Sequence, residues 1–386
     1  MAAPDEFAPT TESPALVDAI RQEIRTGGPI PFRRFMELAL YHPQHGYYSG
    51  DRAPMGRHAD YVTSPELHPI FGALVGRQAA EMWEALGRPP RFDVVELGPG
   101  TGALARDLLR WARARPDFLA ALRYRLVERS APLRERQRRT VAEAEPDPDR
   151  AVWEAEETLA PGSVTGCILS NELVDAFPVH LVEVHGGRLQ EVYVTWEGGR
   201  FRETLGEPST PELEAYFRWV GVRPAEGNRA EVNLAAPRWM RWAGGLLARG
   251  FVLTFDYGYE AAELYAPWRR AGTLLCFYRH AATDDPYRRV GRQDITAHVD
   301  FTALTLAGRE AGLEPLGLTT QAAFLSALGI GEALRSPGLE LEEFFARRRA
   351  VADLIDPAGL GRIRVLVQAK GTGPVRLTGL AGPGGR

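Results

Sequence analysis

The chain has 386 residues, 45% of them hydrophobic, with 46 basic and 50 acidic side chains and a formal net charge of -4. That length holds two or three domain-sized units, or one core with insertions, and supplies enough apolar side chain for a substantial interior. The slightly acidic balance speaks against a nucleic-acid binder, which concentrates Lys and Arg to neutralise phosphates.

Met1–Pro14 places Pro4, Pro9 and Pro14 among polar residues and reads as a flexible leader. It lacks the charged and apolar regions of a secretory signal, and no stretch approaches the roughly 18 uncharged apolar residues of a membrane span. A cytoplasmic location without membrane insertion is therefore expected. Residues 15–90 read as a helical and lid region. Leu16, Ile20 and Ile24 share one helical face; a second helix is expected over Phe32–Leu40 and a third over Pro69–Leu86. Between these two, Tyr41–Glu66 is dense in Tyr, His, Pro and Gly, and an irregular stretch of this length inside a compact protein points to function.

From Arg91 to Lys370 short apolar strands alternate with helices, the pattern of an α/β fold with a parallel sheet covered on both faces. Strands are expected over Phe92–Leu97, Arg123–Glu128, Gly166–Asn171, Gly250–Asp256 and Arg362–Gln368, with a weaker one at Ala151–Trp153. Helices are expected over Ala103–Ala112, Ala131–Ala144, Pro237–Ala248 and Phe301–Ala311, the last closed by Gly312. A polar insertion runs from Gly186 to Arg229, with hairpin signals at Gly186-Gly187 and Gly198-Gly199. Gly371–Arg386, rich in Gly and Pro, reads as a disordered tail. Cys167 and Cys276 both sit in apolar runs, so neither a disulfide nor a nucleophile is expected of them.

The chemistry concentrates at strand ends. The strand carrying Glu96 and Leu97 runs into Gly98-Pro99-Gly100-Thr101-Gly102 and then a helix. Glycines permit a tight turn and close backbone approach, and a helix start aims free N–H groups at a ligand. Such a turn alone also serves dinucleotide enzymes and ordinary helix starts. Here the third glycine comes one residue sooner than in Gly-x-Gly-x-x-Gly. Glu96 before the turn suits a ligand with an ammonium group rather than a pyrophosphate. Glu128 ends the next strand, where such folds place an acid to accept ribose hydroxyls. Together these features point to S-adenosylmethionine, with S-adenosylhomocysteine as product. Trp153 offers either a face for adenine or an ordinary core contact. No metal-ligand set is assigned.

The following strand ends in Ser170-Asn171-Glu172-Leu173-Val174-Asp175. Ligands of open α/β sheets sit beside strand ends, so Asn171, Glu172 and Asp175 are candidates to meet a methyl acceptor. The plainer reading is a helix cap with two solvated acids. Methyl transfer needs a nucleophile held in line and one proton managed, and carboxylates suffice when the acceptor is an amine or a guanidine. His298 is a further candidate base, set against a capping or packing role at a helix start. Asp256-Tyr257-Gly258-Tyr259 borders the same face.

Six ordered stretches carry a family resemblance: Phe32–Tyr48 (FRRFMELALYHPQHGYY), Asp60–Gly72 (DYVTSPELHPIFG), Val95–Gly102 (VELGPGTG), Ser170–Leu181 (SNELVDAFPVHL), Thr254–Tyr259 (TFDYGY) and Asp294–Phe301 (DITAHVDF). Over about Ala15–Lys370 the chain resembles the MidA-like methyltransferases, a family that includes the mitochondrial complex I assembly protein arginine methyltransferase. The resemblance implies a class I, Rossmann-like methyltransferase fold with an added helical region. It also implies S-adenosylmethionine as donor and symmetric dimethylation of an arginine in a respiratory-complex subunit. Tyr61, Thr63, Ser64, Pro65 and Glu66 would then lie over the cofactor as a lid. Two glutamates, Glu172 and Glu183, would flank the guanidinium, at a longer spacing than arginine methyltransferases use. The expected function is thus methylation of a protein arginine. The alternatives are a small-molecule or peptide N- or O-methyltransferase using the same cofactor site, and an assembly chaperone that binds the cofactor without chemistry.

Overall fold

Seven strands build the central sheet: β1 (Phe92–Leu97), β2 (Leu122–Val127), β3 (Ala151–Glu154), β4 (Val164–Asn171), β5 (Leu247–Asp256), β6 (Glu314–Thr320) and β7 (Arg364–Lys370). The computed structural model describes residues 12–49, 62–145, 147, 149–335 and 340–382. Spatial order is β3-β2-β1-β4-β5-β7-β6. The pairings among β1 to β5 are parallel, and β7 runs antiparallel to both β5 and β6. The parallel part is what the alternating pattern predicts; the antiparallel edge makes the sheet mixed, and the whole is the class I methyltransferase sheet that the family resemblance implies.

Parallel strands buried on two faces read as near-continuous apolar runs, and all six residues of β1 are buried. Val94 faces one layer with Phe71, Leu104, Phe251 and Phe255; Val95 faces the other with Ile168, Met240, Val252 and Leu304. Helices Ile70–Ala85 and Ala103–Ala112 cover the first side, and Ala235–Leu246 and Phe301–Glu310 the second.

A second, antiparallel sheet is formed by His180–His185, Arg188–Glu197, Arg200–Gly206 and Arg229–Val232, joined by Ile30–Pro31 from near the N-terminus. Both hairpins expected from paired glycines are present. Gly186, Gly187, Gly198 and Gly199 all have positive φ, as tight turns matching strand twist require. The sheet begins before the insertion read at 186–229 and ends after it. Helices Pro14–Gly27 and Phe32–Tyr41 pack on it rather than on the central sheet: Leu16, Ile20, Phe32 and Phe35 meet Val179, Leu181, Val192 and Phe201.

Three expectations need correction. The leader is anchored at its end, where Ser13 N–H donates to Val290 O at 3.0 Å and a helix begins at Pro14; residues 1–11 lie outside the described residues. The tail expected to be disordered is packed through residue 382. Leu377 is buried, and Thr378 N–H and Gly379 N–H donate to Glu81 and Gln78. Finally, β6 and the helices Gln321–Ala327 and Leu341–Ile355 escaped the sequence pattern. Among the described residues, no helix is long and apolar enough to cross a membrane.

Candidate active site

Strand order reverses between β1 and β4, which opens a crevice at their carboxyl ends, where open α/β sheets hold ligands. Leu97 pairs with Ser170 across it, so the glycine turn after β1 neighbours the Asn171-Glu172 corner after β4. Gly98, Gly100 and Gly102 take φ of 68°, 54° and 85°, a conformation that is costly for residues with a Cβ. Packing adds to the requirement at two of them. A Cβ on Gly98 would stand 2.8 Å from Leu173 Cδ1, and one on Gly102 3.2 Å from Gln137 Cα.

Glu96, read from the sequence as an ammonium partner, is held inside the sheet layer. Its Oε2 accepts a hydrogen bond from Tyr124 Oη at 2.7 Å, and burial raises its carboxyl to about 7 against that bond. Glu128, expected to accept ribose hydroxyls, is placed at the strand end. Glu128 directly follows β2; its Oε1 accepts from Ser130 N–H at 2.8 Å and its Oε2 from Gln137 Nε2 at 3.3 Å. Each carboxylate oxygen keeps a lone pair for a hydroxyl donor. Gln137 Nε2 also donates to Gly100 O at 2.9 Å, and its Oε1 accepts from Trp153 Nε1 at 3.1 Å. The Arg138 guanidinium lies 5.1 Å from the centroid of the Trp153 ring.

The corner after β4 gathers acid. Glu172 adopts φ of 50°, a left-handed strain on the order of 1 kcal/mol for a residue with a side chain. Its Oε1 accepts from Asn171 Nδ2 at 3.0 Å and from Ser64 N–H at 3.2 Å. Burial, reinforced by Asp256 and Asp294, raises its carboxyl to about 8 in spite of those bonds. Asp175 is pushed well above the usual carboxylate range by burial and by Asp256, Glu172 and Asp294. Asp256 is raised as well, mainly by burial, although it accepts from the N–H groups of Leu173, Val174 and Tyr257. Asp294 Oδ1 accepts from Tyr48 Oη at 2.7 Å. Asn171 Oδ1 is buried with no hydrogen-bond partner among the described residues. The corner therefore presents acceptors and latent negative charge to whatever enters it.

A short helix, Ser64–Leu67, spans the two strand ends. Ser64 reaches Glu172 through its N–H and Gln321 Oε1 through its hydroxyl at 2.9 Å, while Glu66 accepts from Thr101 Oγ1 in the glycine turn. Of the lid residues implied by the resemblance, Thr63, Ser64, Pro65 and Glu66 stand at this bridge, and Tyr61 lies outside the described residues.

Two sequence candidates do not join these networks. Glu183 belongs to the second sheet. Burial pushes its carboxyl up, but His185 and Arg229, at 2.7 Å each, hold it below the ordinary value. That carboxylate is already neutralised and is not paired with Glu172. His298 stacks against Tyr257, with ring centroids 6.4 Å apart. Burial, with Arg362 and Arg269, lowers its imidazole to about 4. Sequence reasoning missed Gln137, Asp294, Tyr48 and Gln321 as parts of these networks. Only Asp294 and Tyr48 lay within motifs already singled out, and no local pattern marks a helical Gln as the partner of two strand ends.

Comparison with known proteins gives the family and the fold. Residues 74–319 match the family model described as S-adenosyl-L-methionine-dependent methyltransferase. The Drosophila melanogaster protein arginine methyltransferase NDUFAF7 homolog, mitochondrial, is 30% identical over 90% of this chain and 83% of its own length. The Mus musculus protein arginine methyltransferase NDUFAF7, mitochondrial, is 30% identical over 86% and 78%. A Burkholderia thailandensis protein crystallised with S-adenosyl-homocysteine superimposes with a TM-score of 0.87 at 35% identity, covering 99% of this chain and 97% of that one. The mitochondrial relatives overturn the cytoplasmic location expected from the sequence.

Proposed function

The chain belongs to the MidA-like family of S-adenosyl-L-methionine-dependent methyltransferases, and we propose that its methyl acceptor is an arginine side chain of a protein. One observation carries this reading: the acid corner of Glu172, Asp175 and Asp256, where β4 and β5 end. Carboxyl groups crowded in a low-dielectric interior repel when ionised, so a cation entering beside them lowers the cost of their ionisation. A guanidinium supplies that charge together with several N–H donors in a plane. Asn171 Oδ1, buried without a partner among the described residues, is an acceptor suited to one of those donors. The protein arginine methyltransferase relatives support the same acceptor class. A respiratory-complex subunit, as the family resemblance implies, is the first protein to test.

The donor, when bound, supplies an electrophilic methyl group. In this reading the turn of Gly98, Pro99, Gly100, Thr101 and Gly102 seats its amino-acid end, Glu128 accepts its ribose hydroxyls, and Trp153 borders its adenine. Thr63 and Ser64 close over it. Acceptors on the protein thus face donors on the ligand. Glu172 and Asn171 orient the acceptor nitrogen, and Glu172 or Asp175 takes the proton that nitrogen gives up. Burial raises the Glu172 carboxyl, and a guanidinium entering beside it favours its ionised form, which can then take up the proton. His298, lowered to about 4, is left as a neutral wall of the site.

The test is incubation of the purified chain with methyl-labelled donor and a mitochondrial or bacterial protein extract, followed by peptide mass spectrometry. Methylarginine in a discrete substrate is the expected result. Label found only in small molecules moves the acceptor to the second class. No label at all, with the donor still bound, leaves the chaperone reading.

A further inference from the structure

Gln137 is fully buried on helix Ala131–Ala142, and its amide is spent on three partners. Trp153 Nε1 can only donate and meets Oε1 at 3.1 Å. Gly100 O and the ionised Glu128 carboxylate can only accept, and they meet Nε2 at 2.9 Å and 3.3 Å. An amide has two N–H groups and one carbonyl, so its polarity fits this trio and no other side chain of its length does. Glutamate would set an acceptor against two acceptors. Leucine would take both bonds from the Gly100 carbonyl and the Trp153 indole N–H and offer nothing in their place.

We propose that Gln137 is a positioning residue that sets the shape and the charge state of the donor site, an inference resting on the reading that Gly100, Glu128 and Trp153 hold the donor. Three effects follow from the amide and one from the backbone that carries it. In a trans peptide the carbonyl and the next N–H point in opposite directions. Fixing Gly100 O toward Gln137 therefore aims Thr101 N–H away from the helix. The Gln137 backbone closes the other side of the turn, since its Cα would sit 3.2 Å from a Cβ at Gly102. With Ser130 N–H on Oε1 and Gln137 on Oε2, the Glu128 carboxylate is held in one rotamer. Burial raises Glu128, and the bonds from Ser130 and Gln137 oppose that rise. Gln137 thus helps keep Glu128 ionised to accept hydroxyls.

The test measures S-adenosylhomocysteine affinity by calorimetry on the full chain at pH 6 and pH 8, each variant taken as a ratio to wild type. Gln137→Glu is expected to bind at least about tenfold more weakly at pH 8 and to recover toward wild type at pH 6. At the lower pH the new carboxyl takes a proton and donates again, and a merely structural role would not produce that recovery. Gln137→Leu should lose about tenfold at both pH values. It also serves where Gln137→Glu does not fold at pH 8. Wild-type affinity for Gln137→Leu, or an equal loss for Gln137→Glu at both pH values, overturns the proposal. Glu128→Gln and Gly100→Val separate it from its parent. If they bind normally, the donor site itself is misplaced. If they lose binding while the Gln137 variants do not, only the role of Gln137 fails.

Discussion

Asn171 donates a side-chain N–H to Glu172 Oε1 at 3.0 Å, while its own Oδ1 is buried with no donor among the described residues. The pair therefore has a defined orientation and an unmet need, the condition expected of a site awaiting a donor-rich ligand. Glu172→Gln keeps the shape and the contact with Ser64 N–H but removes the latent charge. Methyl transfer to an arginine acceptor should slow by about 10²–10⁴-fold, the usual contribution of a positioned acid or base, with donor affinity little changed. Steady-state kinetics on the identified acceptor checks this, and a loss under threefold would place the acceptor elsewhere.

Burial raises Glu172 to about 8 and Glu96 to about 7, both above the ordinary glutamate value. Between the ordinary and the raised values the folded chain holds protons that the unfolded chain has released, so stability falls as pH climbs from about 5 to about 8. Below that window both states are protonated and these groups contribute no slope. Thermal unfolding followed by circular dichroism should give a higher midpoint at pH 5.5 than at pH 8, and Glu172→Gln should flatten the difference. A midpoint rising steadily over this range in the unliganded protein would contradict the buried, uncompensated acids.

Where periodicity and turn chemistry were strong, the fold was legible. The apolar run of β1, the glycine pairs of both hairpins and the face of Leu16, Ile20 and Ile24 each carry a local signal that the structure keeps. The site was legible as strand ends and not as contacts. Glu96 precedes the glycine turn, yet strand alternation puts it on the Val94 side, against Tyr124. Glu183 resembled half of a glutamate pair, but Arg229 lies 46 residues away in sequence and claims it across neighbouring strands. Gln137 gives no signal, because its three partners lie on three separate segments.

The C-terminal segment shows the same limit of composition. Gly371–Arg386 is rich in Gly and Pro, yet Leu377 is 3% exposed, Thr378 makes hydrogen bonds to Glu81 through N–H and Oγ1, and Gly379 donates to Gln78. A Cβ on Gly379 would stand 2.3 Å from Phe324 Cε2, so glycine serves close packing here rather than freedom. A chain ending at Gly371 should lose about 2–4 kcal/mol, from one buried leucine and the stranded partners of these bonds. Urea unfolding reads the loss, and an unchanged midpoint would return the segment to the status of a loose tail.

His298 is lowered to about 4 by burial and by the guanidiniums of Arg362 and Arg269. The imidazole is therefore neutral throughout the working range and takes up no proton near its ordinary value. The pH profile of methyl transfer should show no histidine inflection between about 5 and 7.5, and His298→Asn should lower the rate without changing the profile's shape. An inflection near 6.5 that disappears in His298→Asn would restore the imidazole as the base.

Gly100 takes φ of 54° inside the turn, and its carbonyl accepts from Gln137. A β-branched side chain in that left-handed conformation costs about 1–2 kcal/mol in backbone strain. Relief requires the peptide to rotate, which would turn Gly100 O off Gln137 and move Thr101 N–H with it. Gly100→Val should therefore weaken S-adenosylhomocysteine binding at least about tenfold while leaving the sheet intact, because the strain falls on the turn and not on β1. Calorimetry on a variant with wild-type circular dichroism decides the point. Undiminished affinity would mean that the glycine bend is a structural turn and that the donor is held by other residues.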